Sequence, residues 1–138
     1  MNYWIRAYNH KNFRVADFIR DYGYIDWHTR QHFEVGDVLF LYATAPQSRI
    51  TFMMEVTRVG MTWHEATDDR AYYLARTSYD RWLNGRDAMR FARYAFLKEL
   101  HSPALGFHEL MAHGLGGAPR SPRRLGPEVT DYVMNHLE

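Results

Sequence analysis

Over 138 residues the chain sets 17 Lys and Arg against 16 Asp and Glu, a formal net charge of +1 that by itself favours no class of partner. The length suits one domain spanning 1–138 that can bury a core without disulfides or a structural metal, and the lack of cysteine excludes disulfide frameworks, thiol catalysis and Cys-based zinc sites. No apolar run approaches the roughly 18 residues of a membrane span and no basic-then-apolar leader opens the chain, so the expectation is a soluble, cytoplasmic protein with no membrane partner.

In chain order, Asn2 to Tyr8 is β-prone and ends at the turn-forming Asn9-His10-Lys11-Asn12, which predicts a first strand. Val15, Phe18, Ile19 and Tyr22 then recur at helical spacing, with Gly23 where a C-terminal cap belongs. Tyr24 to Trp27 is aromatic and extended, and the polar His28-Thr29-Arg30-Gln31-His32 follows it. Gly36-Asp37 then opens the apolar run Val38 to Tyr42, too short for a buried helix and bounded by punctuation, so it predicts a core strand lined on both faces. After the hairpin loop Ala45 to Ser48, the run Ile50 to Val59 predicts its partner. Two such strands imply a sheet that curls over its own core.

From Trp63 onward the pattern turns helical. Thr67-Asp68-Asp69 offers caps, and Ala71, Leu74, Ala75, Ser78, Tyr79 and Trp82 predict one helix from about Asp68 to Leu83, ended by Asn84-Gly85. Phe91 to Leu100 fits neither period well. A strand is preferred, because a barrel begun by three strands needs more to close. Phe107 to His113 predicts a short helix ended by Gly114, and Pro127 starts a terminal helix carrying Val129, Tyr132, Val133 and His136 on one face. Between them, Gly114 to Leu125 reads as a Gly/Pro loop.

Aromatics make up 16% of the chain, more amphipathic rings than a core alone ordinarily uses, which points to Tyr or Trp lining a binding surface. Trp27 beside a polar loop is one such ring, with plain core packing as its alternative. No acidic residue lies between Glu109 and Glu128, while Arg120, Arg123 and Arg124 cluster in that interval, as phosphate contacts would. A solvated surface loop is the alternative, and Arg30 and Arg49 are weaker candidates of the same kind. Catalytic patterns are sparse. His28 and His32 stand four apart but in a segment read as loop, Trp63-His64-Glu65 and His108-Glu109 set neighbours on different faces, and Gly114 to Gly117 lacks the lysine of a phosphate loop. No metal, cofactor or enzymatic activity is expected, and a small His-dependent hydrolase or metalloenzyme using His28, His32 or His64 stands as the alternative.

Tyr3-Trp4-Ile5 at the start, a tryptophan at position 27 before a polar loop, Val35-Gly36-Asp37 leading into Leu39 to Thr44, and Met54-Glu55-Val56 after a hairpin resemble, in that order, the EVE domain of the PUA-like superfamily. The likeness covers about residues 2–60, and Gly114-Leu115 with Pro119 to Leu125 and a final helix is similar to the tail of EVE-like domains in modification-dependent restriction proteins. The tryptophan loop departs from the glycine-valine-arginine-asparagine-tyrosine run of common bacterial EVE proteins, carrying His28-Thr29-Arg30-Gln31 instead.

The resemblance implies an α+β fold, a small curled PUA-like β-barrel of about five to six strands flanked by three to four helices. It also implies a reader that flips a modified base out of the stack into a pocket, with modified DNA in a restriction or defence setting as the first expectation and modified RNA as the alternative. A nuclease domain or subunit would supply any cleavage. Flipping costs a few kcal/mol, which stacking at about 1 to 3 kcal/mol per base is the right size to offset. Trp27 and Tyr42 are then the expected walls, with Tyr8 and Trp63 as further rings and Met53 as an apolar wall. Asn9, Thr44 and the Ala43 backbone are the expected polar readers. Trp4 is a further ring candidate behind Trp27 and Tyr42, with core packing the preferred reading for it and for Phe40.

Overall fold

A computed structural model describes residues 1–138, apart from the side chains of Thr77 and Ser78. Its centre is a six-stranded sheet in the order β2-β5-β4-β3-β1-β6, formed by β1 (Tyr3–Tyr8), β2 (Tyr24–His28), β3 (Val38–Ala43), β4 (Arg49–Met61), β5 (Phe91–Glu99) and β6 (Arg123–Arg124). Four α-helices flank it: α1 (Val15–Tyr22), α2 (Arg76–Gly85), α3 (Phe107–Ala112) and α4 (Pro127–Met134). The mixed α+β architecture and the strand and helix numbers agree with the expectation. No helix is long and apolar enough to cross a membrane among the described residues.

Strand β3 is buried along its whole length, as its unbroken apolar run requires. Its alternate residues feed two separate cores. Leu39 and Leu41 join Trp4, Phe18, Ile25, Met54 and Tyr94 on the face that α1 covers, while Val38, Phe40 and Tyr42 join Ile5, Ile50, Leu110 and Val133 on the face that α3 and α4 cover. One strand thus organises both layers. β1 runs parallel to β3, which is possible because α1 and β2 make the long crossover between them, and every other pairing is antiparallel. β4 extends past Val59 to Met61, and its ladder with β5 shifts register three times. Such irregularities bend a strand and let the sheet curl.

The entry to β3 is fixed by one buried carboxylate. Asp37 accepts from the Asn2 backbone N–H at 2.9 Å, the Trp4 indole N–H at 2.9 Å and the Glu34 backbone N–H at 3.0 Å. Burial alone would raise this carboxyl, but those hydrogen bonds together outweigh it and hold it below the usual range. The Gly-Asp signal therefore marks a junction that ties β1 to β3 as well as a turn.

Two expectations are corrected. The single helix over about 68–83 is a 3-10 turn at Arg70–Tyr72, a break, and then α2. At the break Tyr73 is extended and bridges Phe13, with Arg14 N–H donating to the Tyr72 carbonyl at 2.9 Å and Leu74 N–H to the Asn12 carbonyl at 2.8 Å. Tertiary pairing with the loop after β1 wins over helical spacing there. Ser78, part of that spacing, has its side chain outside the described residues. Arg123 and Arg124, read as loop, form β6 and pair with Ile5 and Trp4.

Candidate functional site

The curl brings the two ends of the sheet together. β2 begins the strand order and β1 stands near its other end, yet the Arg6 guanidinium donates to the His28 carbonyl at 3.0 Å and to the Tyr94 hydroxyl at 3.2 Å, and lies 4.8 Å from the centre of the Trp27 ring. No ladder joins β1 to β2 among the described residues, so the barrel closes at this seam through a side chain.

Where backbone pairing stops, a cavity of about 390 Å³ opens, within the size range of small-molecule pockets. Arg6, Tyr8 and Asn9 line it from β1 and its end, Trp27 and His28 from β2, and Phe13, Tyr73, Trp82 and Phe91 from the surrounding loops, α2 and β5. The rings brace one another: Phe13 meets Trp27 edge-on at 5.8 Å and Tyr73 edge-on at 5.0 Å, and Trp82 lies 6.4 Å from Phe91. Trp27 is half-buried, with an inner side on the core and an outer side on the cavity.

Positive charge dominates this seam. Arg6 and Arg81 both line the cavity, whereas the carboxylate there, Asp26, is held bidentately by Arg93 at 2.8 and 2.9 Å and also accepts from the Thr67 N–H. Burial, then Arg6 and Arg30, push the His28 imidazole below its ordinary range, so the cavity's charge at neutral pH comes from arginine. Burial raises the phenols of Tyr8 and Tyr73, leaving both as neutral hydrogen-bonding hydroxyls, and Tyr8 shares a 2.8 Å hydrogen bond with Thr51. Behind Tyr73, burial pushes the Asp69 carboxyl up to about 7, with repulsion from Asp68 and Asp26 adding to it and a backbone hydrogen bond opposing it.

Of the residues expected at a pocket, Trp27, Tyr8 and Asn9 come together here. Tyr42 and Met53 lie elsewhere, packed into the core beneath α3 and α4, because Tyr42 shares the parity of Val38 and Phe40. Ala43 is fully buried, and Thr44 donates its backbone N–H to the Tyr8 carbonyl at 3.0 Å, so it fastens the end of β1. Trp63 stands away from the cavity, donating its indole N–H to Asp87 at 2.8 Å beneath the Arg86 guanidinium, 3.8 Å from its ring.

The arginines divide similarly. Arg120 is exposed, and its carbonyl accepts from Ala7 N–H at 2.9 Å, which runs its segment beside the part of β1 that lines the cavity. Arg123 donates to the Gly116 and Gly117 carbonyls and so holds its own loop, while Arg124 lies over the Trp4 ring at 5.3 Å. Arg49 donates to the Leu100 carbonyl at 2.7 Å. Arg30 is exposed on the loop after β2.

Arg6, Phe13, Tyr73, Arg81, Trp82, Met89 and Phe91 were not anticipated as lining residues. One signal was available for Arg6, which shares the parity of Trp4 and Tyr8 and so sets a cation on the core-facing side of a strand. His32 and His64 are exposed, and among the described residues no three His, Asp or Glu side chains converge as a metal site.

The fold is similar to that of solved ASCH proteins. The chain is similar in structure to the ASCH protein of Zymomonas mobilis, with 13% sequence identity, a TM-score of 0.68 and coverage of 99% of this chain and 96% of that one. A tyrosine-to-phenylalanine variant of the same protein matches with 11% identity, a TM-score of 0.72 and full coverage of both chains. A Pseudomonas putida structural-genomics protein matches at 17% identity and a TM-score of 0.65, covering 99% of each chain. No protein-family model and no curated protein matches the sequence.

Proposed function

We propose that this chain is a nucleic-acid-binding module that receives one unstacked base, carrying a small modification, in the cavity at the β1–β2 seam. The observation that carries the reading is the combination found there: half-buried Trp27 lining the cavity beside the Arg6 guanidinium, Phe13 edge-on to it, Tyr73 edge-on to Phe13, and Arg81 on the same cavity. Flat rings return the unstacking cost, and the guanidinium groups favour the adjoining phosphates. Asn9 accepts from Lys11 N–H through Oδ1, which leaves its amide N–H groups to read a base edge.

The ASCH-type, PUA-like fold supports nucleic-acid binding in general, and the ordered motifs from Tyr3-Trp4-Ile5 to Met54-Glu55-Val56 favour an EVE-type reader within it. Modified DNA in a restriction or defence setting, with cleavage left to a nuclease partner, is the first form of this proposal. Modified RNA is the second. The reading is one of binding without turnover.

Fluorescence polarisation tests it with matched duplexes containing cytosine, 5-methylcytosine, 5-hydroxymethylcytosine, adenine or N6-methyladenine, repeated as RNA. One modified probe is expected to bind selectively. Trp27→Ala should weaken that probe by roughly 5- to 150-fold, the equivalent of about 1 to 3 kcal/mol of lost stacking. Tyr42→Ala, on the opposite face, should lower stability without changing selectivity. Equal or absent binding across the panel would overturn the reading.

A further inference from the structure

A second, larger depression of about 870 Å³ adjoins the base cavity and shares His28, Arg81, Met89 and Phe91 with it. Its walls are the loop after β2, from His28 to Phe33, the bend of β4 at Val59-Gly60, and the segment from Gly85 to Ala92. Three arginines line it, Arg30, Arg81 and Arg90, and no acidic side chain does among the described residues. All three are exposed, and none of them pairs with a carboxylate among those residues. Arg90 spends one N–H on the neighbouring Met89 carbonyl at 3.0 Å, which leaves most of its five donors for a ligand.

Most of the other arginines on the molecule are engaged by carboxylates, carbonyls or rings, with exposed Arg120 the exception. Arg14, Arg20, Arg58, Arg70 and Arg93 face carboxylates, and Arg123 and Arg49 are used on backbone carbonyls. Cations gathered without counter-ions repel one another, so the arrangement costs stability unless an anion fills it. The groove wall is open at Gly60, which has a positive φ of 65° and where a side chain would meet nothing within 4 Å. A ligand backbone can therefore approach the bend of β4 closely.

We infer that the phosphodiester backbone on one side of the flipped base runs through this groove, with Arg30, Arg81 and Arg90 as its phosphate contacts and Arg81 at the junction between base and backbone. The inference rests on the base-binding reading of the seam cavity and deepens it by assigning the track that the strand follows out of it. Arg120, beside β1, is then placed to meet the backbone on the other side of the cavity.

Two fluorescein-labelled duplexes serve as the test, one with a single 5-methylcytosine and its unmodified twin, titrated from about 50 to about 200 mM salt. Each phosphate contact contributes about 0.7 to 0.9 to the slope of log affinity against log salt, independently of sequence. The triple variant R30Q/R81Q/R90Q should lose about 2 from that slope and bind both probes at least ~10-fold more weakly at low salt. R20Q, an exposed arginine on α1, should leave the slope unchanged. Circular dichroism and the urea midpoint confirm that each variant is folded. If the triple variant is folded and binds with the wild-type slope, the groove assignment falls, while loss of binding in W27A would still uphold the base cavity. If neither probe, nor any in the modified-base panel, binds the wild-type protein, both ideas fall together.

Discussion

Two buried aspartates show how much a single position depends on what the fold packs against it. Asp37 and Asp69 are both buried aspartates, with 1% and 6% of their surface exposed, but their environments push them in opposite directions. Asp37 has three N–H donors converging on it and stays charged. Asp69 has its own backbone donor and two carboxylates nearby, so burial dominates and its carboxyl rises to about 7. The folded protein then holds that proton more tightly than the unfolded chain, in which an aspartate titrates near 3.9. Stability contributed by this group is complete below about pH 4 and is lost as pH rises towards 7. Between pH 5 and pH 8 the loss should be about 1 to 3 kcal/mol, read as a fall in the urea midpoint. D69N should remove most of that difference, and an unchanged pH dependence in the variant would count against this assignment.

Among the elements, the two internal helices make a useful contrast. α1 was legible because its four apolar residues, polar neighbours and terminal glycine agree with one another, and Gly23 indeed adopts φ 79° with its N–H on the Ile19 carbonyl at 2.7 Å. A methyl group at Gly23 would touch nothing within 4 Å, so G23A isolates the backbone cost of the left-handed conformation. It should destabilise by about 1 kcal/mol in urea unfolding, with binding unaffected, and a larger loss would mean that the cap does more than end the helix. The segment from Asp68 to Leu83 offered nearly the same spacing but broke at Tyr73. Its hydrogen bonds go to Asn12 and Arg14, some 60 residues away in sequence, and no local periodicity reports such a partner. That break matters for the site, since it swings Tyr73 against Phe13 and sets Trp82 on the cavity.

For the molecule as a whole, closure is the decisive event. A six-stranded sheet with a parallel β1·β3 pair and a bulged β4 curls far enough for Arg6 to span the seam, but not far enough for β1 and β2 to pair. The unpaired stretch is where the cavity opens. Replacing Arg6 by Met would remove the bridge to the His28 carbonyl and leave the Tyr94 hydroxyl, which is fully buried, without that donor. R6M should cost about 1 to 3 kcal/mol in urea unfolding and weaken the proposed nucleic-acid binding as well. R6K should restore only part of either, because an ammonium can donate to both acceptors from its one nitrogen but has no flat guanidinium to lie against Trp27. A lysine variant equal to wild type in both measurements would show that the charge alone suffices.

The sequence by itself determined the α+β composition, four of the six strands with an extended segment where β2 forms, three of the four helices closely, and the position of the Gly-Asp junction. These follow from local rules, since period, caps and turn residues act over a few positions. It left open which face each strand residue would join. Tyr42 and Trp27 looked alike as aromatic residues near strand ends, yet alternation in β3 turns Tyr42 under α3 and α4 while β2 turns Trp27 to the seam. Only the tertiary structure decided that Arg6, Phe13, Tyr73 and Trp82 meet beside Trp27, and that Arg30, Arg81 and Arg90 share one groove. Those residues come from segments far apart in the chain, and what brings them together is the curl of the sheet, a property of packing and register summed over all six strands.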